Sequence, residues 1–284
     1  MDGEDVIVHV PKKLRFADPQ FVDPLAVGDR VRVDLAAEPV VSEILPRTNF
    51  LSRPASGRRG KTQLLAANLD HLVVVLSARE PAWKPATLDR YLVLASIHAV
   101  RPFVVLNKVD LEPELPENPA FQPYRDLGLT LCFVSTHTGQ GVEALRAGLA
   151  GKTVALLGPS GVGKTSLVNA LAPGMDLPVG EISEQTQKGR HTTTWVELLR
   201  MPDGGALIDS PGIRVLDLSG LEPHELAAHF PEFRDYHQGC RFRDCSHTAE
   251  PKCAVKQALA EGQVPESRYD SYVRIYESLE SGSG

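Results

Sequence analysis

Two kinds of hydrophobic patterning divide the chain. Over residues 1 to about 66, apolar positions come in short alternating runs: Val6-Ile7-Val8-His9-Val10, Arg30-Val31-Arg32-Val33 and Val40-Val41-Ser42-Glu43-Ile44-Leu45. Gly, Pro and Asp separate them. Such runs predict short strands of a small β-barrel or sheet. From about residue 69 the runs become continuous and alternate with helical stretches. Strands are predicted at His71 to Leu76, Pro102 to Leu106, Leu129 to Val134 and Thr153 to Leu157. Helices are predicted at Thr87 to His98, Val142 to Ala150 and Lys164 to Leu171. Alternation of this kind implies an α/β domain with a mainly parallel sheet covered on both faces. Beyond Glu222 the pattern is helical, and the last four residues, Ser281-Gly282-Ser283-Gly284, read as a frayed tail.

Composition narrows the class. The 284 residues make about two domains, or three small ones. Hydrophobic residues are 42% and charged residues 23%, ordinary for a globular protein. No run approaches 18 apolar residues, so no membrane span is expected. The acidic opening, Met1 to Asp5, carries no apolar stretch, so a cytoplasmic protein without a secretory signal is expected. A net charge of −6 argues against bulk nucleic-acid binding and leaves a local patch as the route to one. Such a patch is present. Between Ile44 and Asn68 lie Arg47, Arg53, Arg58, Arg59 and Lys61 with no acidic residue, and Ser56-Gly57-Arg58-Arg59-Gly60 reads as a basic loop.

The strongest motif is Gly158-Pro159-Ser160-Gly161-Val162-Gly163-Lys164-Thr165, which fits G-x-x-x-x-G-K-[ST] between a predicted strand and a predicted helix that continues through Ser166. Its glycines let backbone N–H groups turn inward onto phosphate oxygens, and the helix N-terminus adds favourable partial charge. Lys164 would reach the β- and γ-phosphates and the Thr165 hydroxyl would bind Mg²⁺.

Asn107-Lys108-Val109-Asp110 selects the base. It follows an apolar strand, at the carboxyl end where α/β sheets bind ligands. The Asp110 carboxylate can accept from guanine's ring N–H and exocyclic amine, whereas adenine would leave it facing an acceptor. Asn107 can bridge to the base or the phosphate loop, the Lys108 stem can cover the base, and Ser135-Thr136 can back it with an N–H. Asp209-Ser210-Pro211-Gly212 fits the loop that senses γ-phosphate, with Asp209 reaching Mg²⁺ directly or through water and the Gly212 N–H meeting the phosphate. Gly189-Arg190-His191-Thr192-Thr193-Thr194 lies where a first switch with a Mg²⁺-binding Thr belongs, although Thr193 or Thr194 equally suits the start of a strand. Many GTPases carry a water-orienting Gln directly after D-x-x-G. Here that residue is Ile213, so slow hydrolysis is expected, with His191 the best polar group to position water.

The motif order is unusual. Asn107–Asp110 and Ser135 precede the phosphate loop and Asp209–Gly212 comes last, so the domain is circularly permuted. Downstream, Cys240, Cys245, His247 and Cys253 offer four ligands for one closed, structural zinc site.

The motif order, the Gly189–Thr194 string and the Cys/Cys/His/Cys spacing resemble the RsgA (YjeQ) family of bacterial GTPases. Nearly the whole chain is covered. The resemblance implies an N-terminal OB-like RNA-binding barrel (1–66), a permuted P-loop GTPase domain (67–221) and a helical zinc-binding domain (222–280). It implies GTP/GDP, Mg²⁺ and one Zn²⁺ as cofactors, His191 in hydrolysis beside Lys164 and Asp209, and a monomer acting on the small ribosomal subunit and its rRNA. The family opens with a longer first barrel strand and a basic segment, for which only Pro11-Lys12-Lys13-Leu14-Arg15-Phe16 stands in. Two rivals remain: a GTP-regulated RNA-binding switch with no ribosomal role, and an ATP-dependent small-molecule kinase, which Asp110 disfavours.

Overall fold

The structure is a computed structural model that describes residues 6–15, 18–35, 38–55, 57, 60–173, 197–209, 213 and 216–282. Its centre is a six-stranded sheet. In chain order the strands are β5 (His71–Ser77), β6 (Arg101–Asn107), β7 (Leu131–Phe133), β8 (Thr153–Leu157), β9 (Glu197–Arg200) and β10 (Ala206–Asp209). Across the sheet the order is β7-β6-β5-β8-β10-β9. All pairs are parallel except β10 with β9. The chain therefore builds outward from β5 in one direction and from β8 in the other. The reversal of strand order lies between these two neighbours, and ligands of open α/β sheets bind outside the carboxyl ends of such a pair.

The middle strands are apolar through their central positions because both faces are covered. In β5, Val73 and Val75 pack with Leu145, Leu149, Leu167 and Leu171 of helices α4 (Val142–Leu149) and α5 (Lys164–Leu171). The alternate residues Val74 and Leu76 face Leu88 of α2 (Pro85–Ile97) and Tyr124 of α3 (Gln122–Asp126). Each fully buried aliphatic side chain contributes roughly 1.5–3 kcal/mol, and this pins the register that sets Ser77 beside Asn107.

In the N-terminal part the second and third expected strands form and the first does not. Among its described residues, β1 (Val31–Asp34) with β2 (Val40–Ile44), and β3 (Phe50–Pro54) with β4 (Thr62–Ala67), form ladders, as two separate antiparallel pairs. Val6–Val10 supplies a single bridge, His9 to Val40, and Lys12–Arg15 is a helical turn (α1), so no first strand forms there. Val6 and Ile7 are exposed; an alternating run without a face to bury gains little from the extended state. The C-terminal part is helical, with α6 (Arg234–His237), α7 (Ala254–Ala260) and α8 (Glu266–Glu280). Among the described residues no helix is long and apolar enough to cross a membrane.

Candidate nucleotide site and metal centre

The phosphate loop leaves the end of β8 at the centre of the sheet. Two of its glycines are required by close approach. A Cβ on Gly158 would lie 2.0 Å from the Val75 carbonyl oxygen, and one on Gly163 would lie 2.3 Å from Asn107 Nδ2; both have positive φ, +152° and +90°. Gly163 opens α5 with no side-chain cap. The first-turn N–H groups thus point outward, the arrangement that suits a phosphate. Lys164 Nζ donates to the Gly158 and Pro159 carbonyls at 2.8 and 2.6 Å, holding the ammonium over the loop. Thr165 and Ser166 follow in the first turn of α5, half-buried.

Asn107 ties this loop to the base-side loops. Its Nδ2 donates to the Val162 carbonyl at 3.0 Å, and its Oδ1 accepts from Thr136 N at 3.2 Å and Thr136 Oγ1 at 3.4 Å. The side chain is buried. Lys108 takes the left-handed conformation (φ +61°), and its ammonium donates to the Glu80 carbonyl. Val109 is buried, with its N–H on the Val134 carbonyl. This anchors a short turn that carries Asp110, whose Oδ1 is buried and without a hydrogen-bond partner among the described residues. A carboxylate oxygen in that state has acceptor capacity for two N–H donors, as guanine presents.

Ser135 and Thr136 use their own N–H groups internally, on the Gln140 carbonyl and on Asn107, while Ser135 Oγ accepts from Thr138 N. They shape the loop. The next N–H along, at His137, donates to nothing among the described residues. Sequence reasoning passed over it, because a backbone donor leaves no mark on residue type.

Asp209 closes β10, the strand beside β8, and so stands at the same end of the sheet as Thr165. Ile213 is buried with Leu216, Leu218 and Leu226, which makes it part of the core. His191, Thr193 and Gly212, with Arg58 and Arg59 of the basic loop, lie outside the described residues.

The four expected zinc ligands converge. Their ligand atoms all lie within 4.8 Å of one another. Cys240 Sγ is 3.5 Å from His247 Nδ1 and 3.9 Å from Cys253 Sγ, and His247 Nδ1 is 3.4 Å from Cys253 Sγ. With Zn–S about 2.3 Å and Zn–N about 2.0–2.1 Å, a tetrahedron has edges of about 3.5–3.8 Å, so the donor set fits a zinc ion. Backbone N–H groups of Ala254 and Lys256 point at the Cys240 and Cys253 sulfurs, which favours thiolates. Without a cation, burial pushes the Cys245 thiol up to about 12, and a metal is what would hold it deprotonated. Burial, aided by His237, lowers His247 to about 4, which keeps the imidazole neutral for ligation. His237 Nδ1 lies 3.0 Å from His247 Nε2 and orients the ring. Tyr269 and Tyr272 hydroxyls bond the His247 and Ser246 carbonyls at 2.7 and 2.6 Å.

A buried ionic cluster fastens this region to the nucleotide domain. Arg268 of α8 donates to Asp89 of α2 and pairs with Glu232 at 2.5 Å, its guanidinium lying over the Tyr124 and Phe230 rings. Burial raises Asp89 despite the attraction of Arg268.

A permuted parallel sheet with a phosphate loop at its strand reversal and the Asn107–Asp110 turn on the neighbouring loop defines a circularly permuted P-loop protein of the GTPase class. Residues 44–219, more than half of the chain, match the model of the RsgA GTPase family. A small ribosomal subunit biogenesis GTPase RsgA from Gemmatimonas aurantiaca is 42% identical over 90% of this chain and 84% of its own length. One from Porphyromonas gingivalis is 38% identical over 97% and 91%. The fold is similar to that of YjeQ from Thermotoga maritima, with TM-score 0.78 and 34% identity, covering 98% of this chain and 91% of that one. It is also similar to that of YloQ, a circularly permuted GTPase, with TM-score 0.74 and 32% identity over 99% and 88%. The chain belongs to the RsgA GTPase family.

Proposed function

We propose that the protein hydrolyses GTP to GDP and phosphate and thereby times its own release from the small ribosomal subunit late in maturation. The observation that carries the guanine assignment is Asp110, with a buried carboxylate oxygen that has no hydrogen-bond partner among the described residues, on a turn whose root, Asn107, is bonded to the phosphate loop. Base and phosphates are thus gripped by one connected unit. The relatives named for small-subunit biogenesis supply the partner.

In this reading Asp110 accepts from guanine, and Asn107, Lys108 and Val109 hold the base loop in place. Ser135 and Thr136 shape the loop behind the base, with the His137 N–H available to it. Gly158 through Gly163, with Pro159, Ser160, Gly161 and Val162, wrap the phosphates, and Lys164 swings from the loop carbonyls onto the β- and γ-oxygens. Thr165 and Asp209 would hold Mg²⁺, whose chemistry there would be to neutralise phosphate charge. Thr193 of the first switch would add a Mg²⁺ ligand, the Gly212 N–H meets the γ-phosphate, Ser166 supports the helix start, and His191 positions water in place of the missing Gln. Cys240, Cys245, His247 and Cys253 hold one structural zinc. The layout proposed is an OB-like RNA-binding unit over 1–66, the GTPase domain over 67–221 and the zinc domain over 222–280. The protein acts as a cytoplasmic monomer, with Arg58, Arg59 and Lys61 facing rRNA phosphates.

The test is nucleotide selectivity combined with co-sedimentation. GTP should bind far better than ATP, and Asp110→Asn should shift preference to xanthosine triphosphate, whose exocyclic oxygen accepts from the new amide. Subunits should pellet with the protein in a non-hydrolysable GTP analogue and lose it in GDP. Equal ATP and GTP affinity, or equal pelleting in both nucleotides, refutes the corresponding half.

A further inference from the structure

The loop between the zinc ligands Cys240 and Cys245 presents Arg241, Phe242, Arg243 and Asp244, all exposed. Phe242 is 40% exposed, and it is the aromatic among the large hydrophobic residues that stand out from the described surface; the others are aliphatic. The Arg241 guanidinium carbon lies 5.5 Å from the ring centroid. Arg241 N also donates to the Lys252 carbonyl at 3.3 Å, which places the backbone of a third basic residue beside the loop. Among the described residues Arg241, Arg243 and Lys252 have no acidic partner, in a chain whose net charge is −6. A ligand residue at each end and the Lys252 bond hold the loop, so the ring is displayed without a large ordering cost on binding.

An exposed ring costs free energy unless something covers it, and unpaired cations favour a polyanion. The two together fit one chemistry, an unpaired nucleotide. A base stacks on the free ring face while arginines take the flanking phosphates, and every base has a π-face, so stacking tolerates sequence. A paired helix would hide its bases and offer the ring nothing. We propose that Phe242 is a stacking platform for a single unpaired base of RNA, with Arg241, Arg243 and Lys252 holding the backbone on either side. The partner, though not the chemistry, rests on the ribosomal reading above.

The experiment uses full-length, zinc-loaded protein and an RNA hairpin carrying 2-aminopurine at one unpaired loop position, against a duplex carrying it in a pair. The parent protein should quench the loop probe and bind it more tightly than the duplex. Phe242→Leu should weaken hairpin binding about 5- to 100-fold and remove the quenching. Duplex binding, zinc content and GTP affinity should stay unchanged, and Phe242→Tyr should restore the hairpin. Replacing Arg241 and Arg243 by Gln should lower the salt slope by about 0.7 per arginine. Hairpin affinity within twofold of the parent in Phe242→Leu overturns the proposal. So does a variant that binds hairpin normally yet no longer pellets with subunits, since the ring would then face protein. A parent that quenches the hairpin but never pellets with subunits sinks the ribosomal reading and leaves the platform standing.

Discussion

Asn107→Ala is the most informative single change in the nucleotide site. The amide joins two loops through Val162 and Thr136. Removing it leaves the buried Val162 carbonyl and the half-buried Thr136 N–H without these partners. Each such group costs about 1–3 kcal/mol, so the folded state should lose about 2–6 kcal/mol in all. Because the amide touches the loops rather than telling GTP from GDP, both nucleotides should weaken together, by about 10- to 100-fold. Asn107→Asp should do no better: it keeps the acceptor for Thr136 but sets a carboxylate oxygen against the Val162 carbonyl. Urea unfolding with and without nucleotide gives the stability change, and a fluorescent guanine nucleotide gives the affinities. If Asn107→Ala bound GTP within twofold of the parent and unfolded at the same urea concentration, the amide would not be joining the loops.

A strong chelator should release about one zinc per chain and unfold the C-terminal helices while GTP binding survives, as circular dichroism and nucleotide titration would read; a chelated protein with those helices intact would contradict the metal reading. Arg268→Met should destabilise by about 3–5 kcal/mol, because Asp89 and Glu232 are left buried without their cation. Asp89 is already raised by burial and should rise further in the variant. A carboxyl raised in the folded state contributes stability at low pH that is lost as pH rises, so the deficit should be largest above neutrality and shrink toward acid. A deficit independent of pH would remove Asp89 from the account. His191→Ala should lower the hydrolysis rate while leaving GTP affinity within a few-fold, measured by single turnover; an unchanged rate would take His191 out of the chemistry.

What could be read in advance tracks how much of the signal is local. The strand Thr153–Leu157 and the helix Lys164–Leu171 begin and end where the pattern places them, since an apolar run, three glycines and a helical stretch all act within twenty residues. The metal cluster was legible for the same reason. The strands at Val31–Asp34 and Val40–Ile44 were legible too, but the first expected one was not. Val6–Val10 alternates, but no neighbour gives it a face to bury, and Lys12–Arg15 coils into a helical turn instead. The Arg268 cluster left no trace in the sequence, because Asp89 lies 179 residues away and nothing marks two distant charges as partners. His237 escaped in the same way: its role comes only from the ring that it happens to face.

The strand order has a consequence for how the chain is made. β5 pairs with β6, which follows it closely, and with β8, which begins only at residue 153. During synthesis the five apolar residues Leu72–Leu76 therefore leave the peptidyl transferase with one side of their ladder open. At ordinary elongation rates the matching strand arrives roughly 4–15 s later. Until then a bare, valine-rich edge offers itself to any passing extended segment, including that of a neighbouring nascent chain on the same message. In a GTPase of ordinary order the strand before the phosphate loop is made first and waits for its neighbours. Here it arrives after β5, β6 and β7, and its insertion both shuts the exposed edge and brings the phosphate loop to the base loop. Bound guanine nucleotide should thus be a quality mark of finished chains: a fragment ending before residue 153 can bury its valines only by borrowing a strand from elsewhere.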